Sequence, residues 1–295
     1  MKITKTFISI FLVTFLIGFV LVPTPKKETI ISFEEATAIL QKMSPPIETL
    51  IINLPIEDKV EWFENDESKF KIKLLETGED FNDEDVIAKN GETWLGLFKE
   101  NNYYFLRPTK LKISRTRDDA NHNYRMKKSI EVSNKTKPIF LLKNFTPPKE
   151  NKITTTLFQG MTWSDILEYK EQPDFNSYEM LTKLNKDFNE NYKISGREFT
   201  LKVIEAKNQH NVEILALILE SDGTRQILHT MSKKESSDLG NLYWVGDLDS
   251  DGKPDFYLDL HENDNILERT LFLSSKAENG KLIKAVASFV TYSNC

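Results

Sequence analysis

The stretch that decides the fold runs from Trp244 to Leu260 and reads WVGDLDSDGKPDFYLDL. Its two ends are aromatic and branched residues, a composition that favours β-strands. Its centre is a run of aspartate, serine and glycine, which is typical of a tight turn. The sequence therefore predicts a β-hairpin with an acidic tip.

The acidic tip spaces its residues like the ligands of a Ca²⁺ loop. Counting from Asp247, aspartates occupy positions 1, 3, 5 and 9, and Gly252 occupies position 6. In such a loop positions 1, 3 and 5 give side-chain oxygens, position 7 gives a backbone carbonyl, and position 9 binds directly or through water. The predicted ligands are Asp247, Asp249, Asp251, the carbonyl of Lys253, and Asp255.

Two features of the stretch limit this interpretation. Position 12 is Leu258, where an EF-hand has a bidentate glutamate, and the flanks favour strands rather than helices. An acidic hairpin that binds nothing is the alternative, because Asp-Gly is a good turn pair by itself. Four carboxylates within nine residues repel one another at neutral pH, and a cation relieves that repulsion. We therefore favour the metal site.

The segment from Val245 to Asp255 resembles the calcium loop of FG-GAP and VCBS-type repeats of extracellular proteins. The resemblance covers only this loop and its two strands. Those families repeat the unit around a β-propeller, whereas this sequence has one copy. Because a propeller needs several blades, the resemblance implies a metal site and we predict no propeller.

The N-terminus has the pattern of an export signal. Lys2 and Lys5 precede an apolar run from Phe7 to Val22, and Pro23 follows it. A charged start and an apolar run are typical of a secretory signal. No Ala-x-Ala cleavage pattern occurs within the apolar run or directly after it, and the run is slightly short for a membrane helix. A cleaved signal peptide and an uncleaved membrane anchor both stay open, with the anchor slightly favoured.

Composition limits the class of protein. The sequence has 295 residues, 39% of them hydrophobic and 28% charged, with a formal net charge of −6. That suits one or two soluble domains with a core, and the acidic balance argues against a nucleic-acid binder. Cys295 is the single cysteine, so no intramolecular disulfide forms.

The remaining patterns predict a β-rich α+β fold, with a mainly antiparallel sheet, a few helices and an N-terminal apolar helix. Strand patterns dominate from residue 91 onwards and are strongest after Tyr192. We divide the sequence into residues 1–27 (signal or anchor), 28–90 (helix and mixed connecting region) and 91–295 (β-rich exported domain). The predicted helices are Phe33–Met43, Thr162–Tyr169 and Ser177–Phe188.

A polar, basic segment from Arg115 to Lys128 is predicted to be a loop. It carries five arginine and lysine residues and could bind an anionic partner. A solvated loop is the favoured interpretation, because Asp118 and Asp119 dilute the positive charge.

Catalytic motifs are mostly missing from the sequence. It has no Gly-x-Ser-x-Gly elbow, phosphate loop or His-Glu-x-x-His motif. His229 and His261 lie in strand-rich sequence and could approach each other, but lone histidines rarely make a site. The enzyme question stays open, with a non-enzyme favoured.

These patterns predict an exported Ca²⁺-binding protein whose ion is structural in a binding or interaction module. The partner would be an extracellular or cell-surface ligand, and the location would be secreted, periplasmic or anchored by the N-terminus. The alternatives are a secreted hydrolase with a structural Ca²⁺ and a membrane-anchored accessory protein.

We predict that the residues after Lys27 lie outside the cytoplasm, because an N-terminal apolar run precedes a sequence without another such run. A reporter that works only after export, fused behind Cys295, is expected to be active. The matched fusion to a reporter that works only in the cytoplasm is expected to be inactive, and strong activity there contradicts the prediction.

Overall fold

Antiparallel strands make up most of what the structure describes. The computed structural model describes residues 50–51, 70–101, 103–118, 125–158, 182–208, 210–260 and 266–292. The strands within these ranges are β1 Leu50–Ile51, β2 Lys73–Leu75, β3 Gly78–Asn82, β4 Thr93–Glu100, β5 Tyr103–Asp118, β6 Arg125–Val132, β7 Leu141–Lys143, β8 Lys152–Phe158, β9 Thr182–Asn185, β10 Asn189–Ile194, β11 Arg197–Lys207, β12 Glu213–Ser221, β13 Thr224–Ser232, β14 Asp238–Asp247, β15 Asp255–Asp259, β16 Ile266–Leu273 and β17 Lys284–Tyr292.

The strands form two sheets. The five-stranded sheet has the order β1-β11-β12-β13, and β10 also pairs with β11. The twelve-stranded sheet has the order β17-β16-β15-β14-β8-β5-β4-β7-β2, with β9 on β14, β6 on β5 and β3 on β6. Among the described strands only β1 and β11 pair in parallel. Strands that follow one another in sequence are also neighbours in a sheet within three groups, which are β4–β6, β10–β13 and β14–β17.

Turn residues explain why the five-stranded sheet is a meander. The β10–β11 connection is Ser195–Gly196, with φ values of 50° and 83°, and the β12–β13 connection is Asp222–Gly223, with 48° and 77°. Two successive positive φ angles are the signature of a type I′ turn, whose twist matches that of the strands it joins.

The β14–β15 hairpin serves two hydrophobic cores at once. A β-bulge between Leu242 and Trp244 turns two successive side chains toward the same core. The side chains in the first core are Tyr243, Trp244 and Tyr257, and those in the second are Leu242, Val245, Phe256 and Leu258. Burying a large apolar side chain stabilises the fold by roughly 1.5–3 kcal/mol, so this hairpin contributes strongly to both cores.

Gly246 of β14 has no room for a side chain. A Cβ there would lie 2.3 Å from a ring carbon of Trp244 and 2.5 Å from the carbonyl oxygen of Thr154. Trp244 in turn donates its indole N–H to the Thr155 hydroxyl, 3.1 Å away. Only glycine lets β14 approach β8 with the Trp244 ring in this place.

The predicted α+β class is wrong for the described residues, which contain no α-helix; one 3₁₀ turn, Ser274–Lys276, follows β16. The predicted helix Ser177–Phe188 is strand β9 followed by a turn from residue 182 onwards. The Asn185 side-chain oxygen accepts the Asp187 N–H at 3.0 Å, a local bond that competes with helix formation. Leu184 and Phe188 are still buried, as the pattern requires.

Three other helix predictions, the N-terminal apolar helix, Phe33–Met43 and Thr162–Tyr169, lie outside the described residues. Within the described ranges, no helix is both long enough and apolar enough to pass through a membrane.

The basic segment Arg115–Lys128 is not one loop, which corrects the prediction. β5 continues to Asp118 and β6 begins at Arg125, and the two strands pair directly. The ammonium group of Lys128 is buried and has a structural role, because it donates to the carbonyl oxygens of Asp83 (2.5 Å) and Val86 (2.9 Å). Arg115 forms an ion pair with Asp83 at 2.8 Å. Cross-strand register and these contacts, rather than solvation alone, hold the segment.

A buried ion pair fastens the strands before residue 91 to the C-terminal meander. Glu76, between β2 and β3, contacts Arg269 of β16, and both side chains are almost fully buried. The Tyr257 hydroxyl donates to Glu76 at 2.5 Å. Arg269 also lies over the ring of Tyr243, with 5.0 Å from its guanidinium carbon to the ring centroid. Strands β2 and β3, which precede residue 91, thus share the twelve-stranded sheet and one polar contact in the core with β14–β17.

We expect Glu76→Gln to lower the free energy of unfolding by about 3–5 kcal/mol, because it removes the carboxylate that contacts the buried Arg269 guanidinium. Urea unfolding measures this. Glu198→Gln is the matched control, since Glu198 forms an exposed ion pair with Lys193 and its loss should change little. Equal effects of the two substitutions would show that the buried pair does not hold the core.

Candidate metal centre

The acidic tip lies where two buried strands meet. β14 ends at Asp247 and β15 begins at Asp255, so the first and last predicted ligands are also strand ends. Ser250 and Gly252 have positive φ values of 62° and 81°, which reverse the backbone between them. The predicted hairpin is present, and its tip folds as a compact loop.

Asp247 organises this loop through its carboxylate. One oxygen accepts the Asp251 N–H at 3.0 Å and the other accepts the Gly252 N–H at 2.9 Å. These bonds wrap residues 248–252 around one buried carboxylate. The loop is therefore shaped by its own backbone donors.

Asp255 is completely buried and held from two sides. Its Oδ2 accepts the Leu248 N–H at 2.7 Å, and its Oδ1 accepts the Ser274 N–H at 2.8 Å. The Ser274 hydroxyl lies 3.1 Å from the same Oδ1. The loop and the 3₁₀ turn after β16 thus meet on this carboxylate.

Three of the predicted ligands converge. One carboxylate oxygen from each of Asp247, Asp249 and Asp255 lies within 4.8 Å of the others. The Oδ1 atom of Asp249 is buried and has no hydrogen-bond partner among the described residues, and its Oδ2 accepts from the Ser275 hydroxyl. The three converging atoms are carboxylate oxygens, the kind of ligand that hard divalent cations prefer.

The other two predicted ligands stand beside this group. The carboxylate of Asp251 accepts the Ser274 hydroxyl at 3.0 Å and the Lys253 N–H at 2.9 Å. Lys253, the residue expected to offer its carbonyl, is half-buried, and its ammonium lies 4.0 Å from Asp251. The structure therefore groups Asp247, Asp249 and Asp255. Asp251 lies beside this group and accepts a hydrogen bond from Ser274.

Sequence reasoning missed Ser274 and Ser275. They follow β16, and β15 pairs with β16 so that Phe256 faces Phe272. That register brings the end of β16 next to Asp255. A polar Ser-Ser pair directly after an apolar strand is the signal that could have found them, once the strand order was known.

Burial and mutual repulsion govern the protonation of these acids. Burial is the largest cause that raises the pKa of Asp255 well above its ordinary value, and the charge of Asp249 adds to it. Burial also raises the pKa of Asp247, while the backbone N–H of Gly252 opposes the shift. Without a cation the cluster holds its negative charge at a cost.

The structure describes only one of the two histidines of the hydrolase alternative. His229 lies on β13 and is 4% exposed, and His261 and Cys295 lie outside the described residues.

Comparison of the sequence and structure with known protein families, with curated proteins and with solved structures gave no match. Function has to be inferred from the geometry of the site and from the sequence.

In the presence of a chelator, the free energy of unfolding is expected to fall as pH rises from about 4 toward the raised pKa of Asp255. In that window the folded carboxyl keeps a proton that the unfolded one, with its ordinary pKa, has released. Asp255→Asn is expected to flatten this slope, although it also lowers stability, because one amide oxygen cannot accept from both Leu248 and Ser274. Urea unfolding at a series of pH values measures the stability and its pH slope for wild type and variant. An unchanged slope in the variant would show that Asp255 does not cause it.

Proposed function

We propose that the protein is an exported Ca²⁺-binding protein in which the ion fixes the β14–β15 hairpin of a binding or interaction module. The observation that carries the proposal is the convergence of the Asp247, Asp249 and Asp255 oxygens beside a fully buried Asp255. A divalent cation at that point would replace mutual repulsion by attraction to all three carboxylates.

Calcium suits this donor set better than the transition metals. The surrounding groups are carboxylates and hydroxyls, and Ca²⁺ takes six to eight such oxygens with flexible geometry. Asp247, Asp249 and Asp255 would hold the ion, and Asp251 and the Lys253 carbonyl would complete the set predicted from the loop spacing. The absence of a carboxylate at Leu258 predicts modest affinity, of the order of 10⁻⁴ M, as in extracellular modules.

The position of the loop favours a structural role for the ion. A Cβ on Gly252 would lie 3.3 Å from the Ser195 hydroxyl, in the turn between β10 and β11 of the other sheet. The residue after Asp255, Phe256, packs edge-on against Tyr192 of β10, with 5.9 Å between ring centroids. An ion that fixes the loop would therefore also fix a contact between the two sheets.

Export would give such a site its ion. Free calcium outside cells is of the order of 1 mM, which is enough to load a weak extracellular module. The charged and apolar N-terminal segment supports this location, as a cleaved signal or as an anchor. The ligand of the module would be an extracellular or cell-surface molecule, since the acidic composition argues against nucleic acid.

With a dissociation constant of about 10⁻⁴ M, ~1 mM free calcium is expected to stabilise the folded state by roughly 1.4 kcal/mol. Asp249→Ala should remove most of this gain and little of the stability in chelator, because removing one of several repelling carboxylates offsets the lost contacts. Thermal unfolding with chelator and with millimolar calcium measures the effect.

Asp187→Ala is the matched control, since Asp187 is an exposed aspartate in the β9–β10 turn, away from the loop. This variant should keep the full calcium response. If the wild-type midpoint is the same with chelator and with calcium, the acidic tip is a bare turn and the proposal fails.

A further inference from the structure

Two Asn-Gly pairs occur in the sequence, Asn90–Gly91 and Asn279–Gly280. In such a pair the backbone nitrogen of the glycine can attack the side-chain amide carbon of the asparagine, because glycine has no Cβ to hinder the approach. Both pairs are exposed, and a Cβ on either glycine would meet no atom within 4 Å. Exposure and local space therefore do not distinguish them.

Hydrogen bonds do distinguish the two pairs. The side-chain oxygen of Asn90 accepts the Ile113 N–H at 3.0 Å, and the Gly91 N–H donates to the Leu111 carbonyl at 2.9 Å. Both reacting groups of this pair are thus held on the edge of β5. Reaction at Asn90 requires local opening of the structure first.

The second pair is held much less. Asn279 and Gly280 have φ values of 54° and 75°, the type I′ conformation. The bond across this turn joins the Lys281 N–H to the Glu278 carbonyl at 3.0 Å. Neither the Asn279 side chain nor the Gly280 N–H bonds to any residue that the structure describes.

We propose that Asn279 is a site of spontaneous deamidation in the folded protein. The Gly280 nitrogen loses its proton and bonds to the amide carbon of the Asn279 side chain. The bond from that carbon to the amide nitrogen breaks, which releases ammonia. Water then opens the resulting succinimide at either carbonyl. The products are aspartate or isoaspartate at position 279, and no reagent except water is consumed.

Hydrogen bonds before and after the turn hold the neighbouring residues in place, so the effect of deamidation stays within the turn. Before the turn, the Ser274 N–H donates to the buried Asp255. After it, the side-chain oxygen of Gln226 accepts the Leu282 N–H at 2.7 Å and the Ile283 N–H at 3.0 Å. β17 therefore keeps its register, and the altered form accumulates as a folded protein with one more negative charge.

Peptide mapping by mass spectrometry of the aged full-length protein tests the proposal. In the folded protein, conversion at Asn279 is expected to be at least ~10-fold faster than at Asn90, because reaction at Asn90 must first break the hydrogen bonds of both its reacting groups. In urea the two rates should be comparable, which controls for the different neighbouring residues. Both rates should rise with pH, since the attacking nitrogen must lose a proton.

Asn279→Gln supplies the second measurement, since closure of the larger ring is slow. This variant should lack the acidic species that the aged wild type forms at this turn. The proposal is overturned if Asn279 stays intact in the folded protein while the unfolded protein reacts, or if Asn90 and Asn279 react equally fast in the folded state.

Discussion

The fold depends on one hairpin that is buried on both faces. β14 and β15 send aromatic rings into one core and aliphatic and aromatic side chains into the other. A strand of this kind cannot slip by one residue, because a slip would exchange the two faces. The bulge at Tyr243 turns two successive side chains toward one core, and the absence of a side chain at Gly246 lets β14 approach β8 closely. The rest of both sheets is arranged around this fixed register.

The fixed register also explains why acids can be buried at the tip. Phe256 is fully buried directly after Asp255, which keeps the backbone that carries the carboxylate inside the fold. Backbone and serine donors accordingly surround it. The same strands bury the Glu76–Arg269 pair further along the hairpin, where Tyr257 donates to Glu76. Apolar packing thus places both polar clusters.

Local pattern predicted the parts of this structure that local chemistry decides. The hairpin from Trp244 to Leu260 followed from composition, and the grouping of Asp247, Asp249 and Asp255 followed from spacing. The helix expected at Ser177–Phe188 is wrong from residue 182 onwards, because apolar residues at helical spacing, such as Leu184 and Phe188, also fit a strand followed by a turn. Ser274 and the partner of Glu76 could not be predicted, since each depends on strand order, which long-range packing determines. The extension of β5 to Asp118 was not predicted, because its residues are polar and their partners lie on β6 and next to β3.

The hydrogen bonds at the acidic tip are a form of preorganisation. Donors from Leu248, Gly252 and Ser274 hold the carboxylates close together before any ion is present. Burying like charges together costs stability, and the pKa of Asp255, raised first by burial and then by the charge of Asp249, is one expression of that cost. In return, an ion that enters would have little backbone to order, which improves affinity without further contacts. A loop with Leu258 in place of a bidentate glutamate has one fewer strong ligand, so its affinity would depend more on this rigidity. The buried hairpin supplies this rigidity, so the packing of the two cores also fixes the geometry of the candidate metal centre.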